Sequence, residues 1–327
     1  MTQAFAISID DILTAADRLS SHAVRTPLLE FAPLNDRVGK RVLVKFEGAQ
    51  HTGSFKFRGA YNRLSALDPA DRSAGVVAWS SGNHAQGIAA AAGQLGIPAT
   101  IVMPADAPAI KMNNTKALGA EVVTYDRYTE SREEIATALA KKSGAILVPS
   151  YNDPYVIAGQ GTAGLEILDQ AQAVDANIGA VLVCCGGGGL TAGIATAVKS
   201  RLPDAAIYSV EPSGFDSTAR SLKSGSIVGN DPEARSICDA LQSPMPGEMT
   251  FAINNALLAG GLNVNDDEIR MAVRFAFEKM KLVAEPGGAA ALAAALHGKV
   301  PDHDGDLALV ISGANVDPAL YCEILSS

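Results

Sequence analysis

The sequence predicts an α/β protein built on parallel sheets with helices on both faces. Three observations lead there. Short, near-continuous apolar runs alternate with Ala-rich stretches of helical spacing, the pattern of strands buried on both faces. Glycine clusters and Ser/Gly/Asn turns stand at the ends of several runs, where such sheets hold ligands. Hydrophobic residues make up 48% of 327 positions, enough to bury about two cores of ordinary domain size.

Taken in chain order, "RVLVKFE" (41–47) is the first expected strand, followed by "GVVAWS" (75–80) and an Ala-rich helix over 84–95. "ATIVMP" (99–104), "AEVVTY" (120–125), a helix over 130–142 and "AILVPS" (145–150) continue the alternation. "AVLVCC" (180–185) runs through four glycines into a helix over 190–201, and "AIYSVE" (206–211) follows. Asn265 can cap a helix with Glu268 three residues on, and Ile269, Val273, Ala276 and Met280 form its apolar stripe. "DLALVIS" (306–312) is the last strand. The division expected is a small domain over 50–145 and a larger one from 1–49 and 146–327, with the active site between them.

The net charge of −9 excludes the basic face that nucleic acid or an anionic membrane requires. Cys184, Cys185, Cys238 and Cys322 lack metal-ligand spacing, and two are adjacent, which fits a reduced, cytoplasmic chain. The N-terminus carries early acids and no cleavable apolar core, and apolar runs stop well short of the roughly 20 residues of a membrane span. The partner expected is therefore a small molecule.

Glycines 186–189 leave backbone N–H groups uncovered at a helix start, an anion cradle suited to phosphate. Gly187, Gly189 and Ala192 also fit G-x-G-x-x-A, with Glu211 ending the next strand, so a nicotinamide-dependent oxidoreductase is a rival from a different class. That rival leaves Lys56 unexplained. In "HTGSFKFRGA" (51–60) this lysine stands between Phe55 and Phe57, after Thr52, Gly53 and Ser54. An environment that disfavours the ammonium form makes such an amine a nucleophile for an aldehyde. Pyridoxal phosphate supplies both an aldehyde and a phosphate.

"TGSFKFRGA", "SSGNHAQG" (80–87), "CGGGGL" and "SGANVD", in this order, resemble the serine/threonine dehydratase and serine racemase family of fold-type II pyridoxal-phosphate enzymes. The likeness runs from "RTPLLE" (25–30) to about 317 and takes in "VIAGQGTAGLEI" (156–167) and "EPGGAA" (285–290). It implies the tryptophan synthase β-like fold, two open parallel-sheet α/β domains, and a homodimer. It implies Lys56 as the Schiff-base lysine with Phe55 packed beside the cofactor. Asn83 would bond the ring hydroxyl, Gly186, Gly187, Gly188 and Gly189 the phosphate, and Ser312 the ring nitrogen. The substrate carboxylate would lie on Ser80, Ser81, Gly82, Asn83 and His84, with Ser81 as a second acid/base opposite Lys56.

The resemblance implies an ammonia-lyase that removes water and ammonia from a β-hydroxy amino acid: 3-hydroxyaspartate, serine or threonine. The alternative within the same chemistry is a serine or aspartate racemase. Arg132, with Lys111 in "APAIKMNN", is placed to meet a second carboxylate; pairing with a neighbouring glutamate is the competing role. Metal-activated members bind Mg²⁺ or Ca²⁺ through a Glu, a carbonyl and an Asp. Here those positions fall on Glu211, Phe215 and Ser217, with Asp216 one residue early.

Overall fold

The computed structural model describes residues 5–80, 82–107 and 109–326. The strands among them are β1 (Leu28–Glu30), β2 (Val42–Phe46), β3 (Val76–Trp79), β4 (Ala99–Pro104), β5 (Glu121–Tyr125), β6 (Ile146–Leu147), β7 (Ile178–Cys184), β8 (Ala206–Pro212), β9 (Gly260–Val264) and β10 (Asp306–Ile311). They form a six-stranded sheet in the order β1-β2-β10-β7-β8-β9 and a four-stranded sheet in the order β5-β4-β3-β6. Only the short edge strand β1 runs antiparallel, to β2; the other ladders are parallel. β10 lies between β2 and β7, so residues leaving the carboxyl ends of β7 and β10 emerge side by side.

Each expected strand is present, although "AILVPS" contributes only Ile146 and Leu147. β1 and β9 were not expected. β1 is three residues long, and β9 begins with Gly260 and Gly261 on a half-buried edge, so neither carries an apolar run. The small sheet extends just past residue 145, because β6 pairs with β3. The helices that matter below are α1 (Lys56–Ser65), α2 (Asn83–Leu95), α3 (Ala109–Ala117), α4 (Arg132–Ser143), α5 (Pro154–Ala173), α6 (Gly189–Arg201), α7 (Ser217–Ser224) and α8 (Asp266–Phe275). The Asn265 capping box forms, with Glu268 N donating to Asn265 Oδ1 at 2.9 Å and Asn265 N to Glu268 Oε2 at 2.8 Å. The stripe Ile269, Val273, Ala276 and Met280 is buried as expected. The final turn, Ala276–Met280, widens into a π-helix.

A cluster of buried charges fixes where α1 begins. Arg58, fully buried, forks onto Glu47 through Nε (2.8 Å) and Nη2 (2.9 Å), and onto Glu166 of α5 through Nη1 (2.7 Å) and Nη2 (2.8 Å). Lys45 of β2 completes the group, its Nζ 2.6 Å from Glu166 Oε2 and 2.7 Å from Thr26 O. Two cations thus meet two carboxylates, and the planar guanidinium suits both forks at once. Burial opposes ionisation of Glu47, but Arg58 holds its carboxyl below the usual range. Alongside, α1 crosses α5 at glycines: a Cβ on Gly159 would lie 2.7 Å from Arg58 O.

Arg58→Ala leaves Glu47 buried without its partner and is expected to cost about 3–5 kcal/mol of stability, read from urea unfolding. Arg58→Lys should recover only part of this, because a point charge does not fork onto two carboxylates. A loss below about 1 kcal/mol for the alanine variant would show that the cluster does not anchor α1.

Candidate active site

The carboxyl ends of both sheets open on one cavity of about 650 Å³. It is large enough for a drug-sized cofactor together with a small substrate. Lys56, the first residue of α1, lies in its wall. The preceding turn is tightly wound, since Thr52 (φ 61°) and Gly53 (φ 71°) are both left-handed and a β-branched residue takes that form only under strain. The turn is stitched to the end of β10 by a Ser54–Gly313 bridge, by Phe55 N donating to Ser312 O at 3.2 Å and by Ala314 N donating to Gly53 O at 2.9 Å. Lys56 Nζ donates to Ser150 O at 2.8 Å and lies 5.1 Å from the Phe55 ring centre. Desolvation lowers its pKa to about 8, against a smaller opposing pull from the Glu285 carboxylate.

The glycine loop follows β7 and enters α6. The carbonyl of Gly187 accepts from Thr250 Oγ1 at 2.7 Å and that of Gly188 from Ala192 N at 2.8 Å. In a trans peptide this turns the next N–H the opposite way. The Tyr151 ring lies against Gly187, where a Cβ would come within 2.3 Å of it, so a side chain there would collide with the aromatic wall. Gly188 needs φ 91°. The lining also includes Thr191, whose buried Oγ1 has no hydrogen-bond partner among the described residues. A desolvated amine, a cradle of loop amides at a helix start and an orphaned hydroxyl together fit a group carrying an aldehyde and a phosphate.

The structure brings Phe55, Lys56, Ser80, Gly82, Asn83, His84, Arg132, Gly186, Gly187, Gly188, Gly189 and Ser312 to this cavity. Ser81 lies outside the described residues. Ser80 Oγ accepts from Gly82 N at 3.2 Å. His84 is buried with Nε2 3.0 Å from Val148 O, and burial with the neighbouring Lys56 charge drives its pKa down to about 3. It is therefore a neutral donor to the backbone and does not change charge near neutrality. Arg132 opens α4 and is 44% exposed; its contact with Glu133, at 3.8 Å, is a loose surface pair of little energetic weight.

Sequence reasoning missed part of the wall. Asp239 and the run 239–248 close one side, where Asp239 Oδ2 meets Lys111 Nζ at 2.6 Å across the cavity mouth. Trp79 and Tyr151 add aromatic walls. Glu285 is buried against Asn83 Nδ2 at 2.6 Å, and burial raises its pKa to about 7. Of these, only Glu285 belongs to a recognisable motif.

Of the residues expected to hold a divalent cation, Glu211 and Asp216 are engaged by protein donors, while the buried Ser217 Oγ has no hydrogen-bond partner among the described residues. Glu211 is buried with Oε1 accepting from Thr218 N (2.9 Å) and Oε2 from Ala219 N (2.8 Å), at the start of α7. Asp216 is committed to Arg220 at 2.8 Å and Asn263 at 3.0 Å. Among the described residues there is no group of three His, Cys, Asp or Glu able to hold a metal. Glu211 also stands outside the cavity lining, which removes the ribose partner that the oxidoreductase reading needs.

A family model described as pyridoxal-phosphate dependent enzyme matches residues 19–313. An L-threo-3-hydroxyaspartate ammonia-lyase of Pseudomonas sp is 45% identical, covering 97% of this chain and 98% of the relative. A serine racemase of Schizosaccharomyces pombe is 40% identical, covering 97% of both. Among solved structures, maize serine racemase superposes with a TM-score of 0.92 at 37% identity, covering 98% of both chains.

If burial controls the Lys56 amine, its acylation rate in cofactor-free protein, followed by peptide mass spectrometry, should rise through a midpoint near pH 8. Ordinary lysines titrate near 10.4. Glu285→Gln removes the charge that favours the ammonium form and should lower the midpoint further. A midpoint near 10 in the unaltered protein would contradict the desolvated site.

Proposed function

The chain belongs to the pyridoxal-phosphate dependent enzyme family, and on that premise we propose that it is an ammonia-lyase. It converts a β-hydroxy amino acid of the 3-hydroxyaspartate, serine and threonine group to a 2-oxo acid and ammonia. The observation that carries this reading is a desolvated lysine amine and a glycine anion cradle facing one cavity. The named activities of the relatives support it.

In this reading Gly186 to Gly189 would hold the cofactor phosphate, Lys56 Nζ would meet its aldehyde, Asn83 would bond its ring hydroxyl and Ser312 its ring nitrogen. Bound there, pyridoxal phosphate serves as the electron sink for bonds broken at the substrate α-carbon. Phe55, Trp79 and Tyr151 line the site with aromatic surface and reduce access to water. Once the substrate amine has replaced it at the aldehyde, Lys56 Nζ would be a free amine, and with burial disfavouring its ammonium form it would act as the base for the α-proton. The hydroxyl of Ser312 is neutral, so it does not lock a positive charge on the ring nitrogen as a carboxylate would. The β-hydroxyl would leave as water, taking up the proton that Lys56 removed from the α-carbon. The enamine released to water hydrolyses to the 2-oxo acid and ammonia. The loop at 80–84 binds the substrate α-carboxylate; Ser81, there, is the residue on which a racemase activity would rest.

For the substrate, a cation in the cavity wall supports a dicarboxylic acid. Arg132 lines the cavity, and the second carboxylate of a dicarboxylate offers it a partner that serine and threonine lack, whereas Lys111 is already paired with Asp239 at 2.6 Å. We therefore place 3-hydroxyaspartate first. No metal enters the reaction in this reading. A small domain near 50–145 against the rest of the chain, a homodimer and cytoplasmic residence belong to the same proposal. The two separate sheets support the division, and the four free cysteines support the compartment. No helix among the described residues is long and apolar enough to cross a membrane.

Keto-acid release from serine, threonine and the 3-hydroxyaspartate diastereomers tests the reading. A charged hydrogen bond of about 1.5–3 kcal/mol predicts that Arg132→Ala lowers kcat/KM for 3-hydroxyaspartate roughly 10- to 150-fold, with serine little changed. Equal losses for both would refute the dicarboxylate assignment. Exhaustive treatment with EDTA should leave turnover unchanged, and loss restored by Mg²⁺ or Ca²⁺ would overturn the metal-free reading.

A further inference from the structure

Asn315, just beyond Ser312, has no part in the chemistry above, yet it joins three parts of the site. Its Nδ2 lies 2.7 Å from Thr52 O and 2.7 Å from Asn83 Oδ1. Thr52 O is a backbone carbonyl and only accepts, so the Asn315 atom facing it must be the amide nitrogen. That nitrogen then donates its second hydrogen to Asn83, so the Asn83 atom facing it must be the oxygen. The Asn83 nitrogen is thereby turned to Glu285 Oε1, at 2.6 Å, with one hydrogen left over. A single unambiguous acceptor thus sets the direction of the whole chain.

The packing leaves little room for a different arrangement. A Cβ on Gly53 would meet Asn315 Oδ1 at 2.7 Å, and one on Gly313 would meet Glu285 Oε1 closely. Thr52 is one of three non-glycine residues with positive φ among those described, and its carbonyl is what Asn315 grips. The same contact therefore steadies the strained turn that presents Lys56 and orients the amide across the cavity.

We propose that Asn315 is a positioning residue, which fixes Asn83 as a hydrogen-bond donor to a cofactor ring oxygen and couples that donor to the Thr52–Gly53 turn before Lys56. The inference rests on the cofactor reading above and adds a residue to it. Asn315→Asp should act through polarity, because a carboxylate only accepts. It repels Thr52 O and draws the Asn83 nitrogen toward itself, leaving Asn83 Oδ1 toward Glu285. Asn315→Ala removes the constraint without reversing it.

The chain has one tryptophan, Trp79, in the cavity wall, so quenching of its emission reports pyridoxal phosphate binding independently of turnover. Unaltered protein should bind with quenching and develop a visible absorption band. Asn315→Asp should weaken binding about 10-fold or more, the scale of one lost hydrogen bond to a charged oxygen, and should shift the pH midpoint of the band. Asn315→Ala should fall between the two. Thermal unfolding of each cofactor-free variant gives the folded fraction at the assay temperature. If both variants match the unaltered protein in affinity and pH midpoint, or lose affinity only in step with folded fraction, the positioning role is overturned. If the unaltered protein neither quenches nor colours, the cofactor reading falls, and this inference with it.

Discussion

The site depends on where one helix is allowed to start. Arg58 stands two residues after Lys56 and forks onto carboxylates from two other elements, Glu47 after β2 and Glu166 in α5. Fully buried charges are tolerated only when paired and hydrogen-bonded, so few positions of α1 satisfy both forks. The glycine contact between Gly159 and Arg58 O, and that of Gly87 with the Lys56 backbone, set the same depth by sterics. Held at three sides, the first turn of α1 puts the Lys56 amine at the cavity wall.

That placement has an electrostatic consequence. The charges around Arg58 cancel among themselves, so they add little net field at Lys56, and desolvation decides the state of the amine. The carboxylate that opposes it, Glu285, is itself pushed toward neutrality by burial. An amine near 8 beside a carboxyl near 7 gives a site whose protonation shifts around neutral pH. His84, in the same wall, is silent there because burial keeps its imidazole neutral.

Much of this was legible in the sequence because parallel strands are apolar throughout and their exits carry the glycines and hydroxyls that bind ligands. Lys56, Asn83, Gly186 to Gly189 and Ser312 stand at such exits, and the structure gathers them. What was not legible lacks local periodicity. β9 opens on two glycines, β1 is an edge of three residues, and the 239–248 wall is irregular loop and 3₁₀ turn. The partners of Arg58 are 11 and 108 residues away, so no window of sequence contains the cluster. Glu211 shows the converse: its place in a recognisable motif did not reveal that its oxygens accept from the amides of Thr218 and Ala219 at the start of α7.

The central claim is that one particular amine, made reactive by burial, anchors the cofactor. The protein is loaded with pyridoxal phosphate, reduced with borohydride, digested and mapped by mass spectrometry. The account predicts a pyridoxyl group on the peptide carrying Lys56 and loss of the visible colour. Labelling of Lys45, Lys111 or any other lysine in place of Lys56, or no labelling at all, would contradict it.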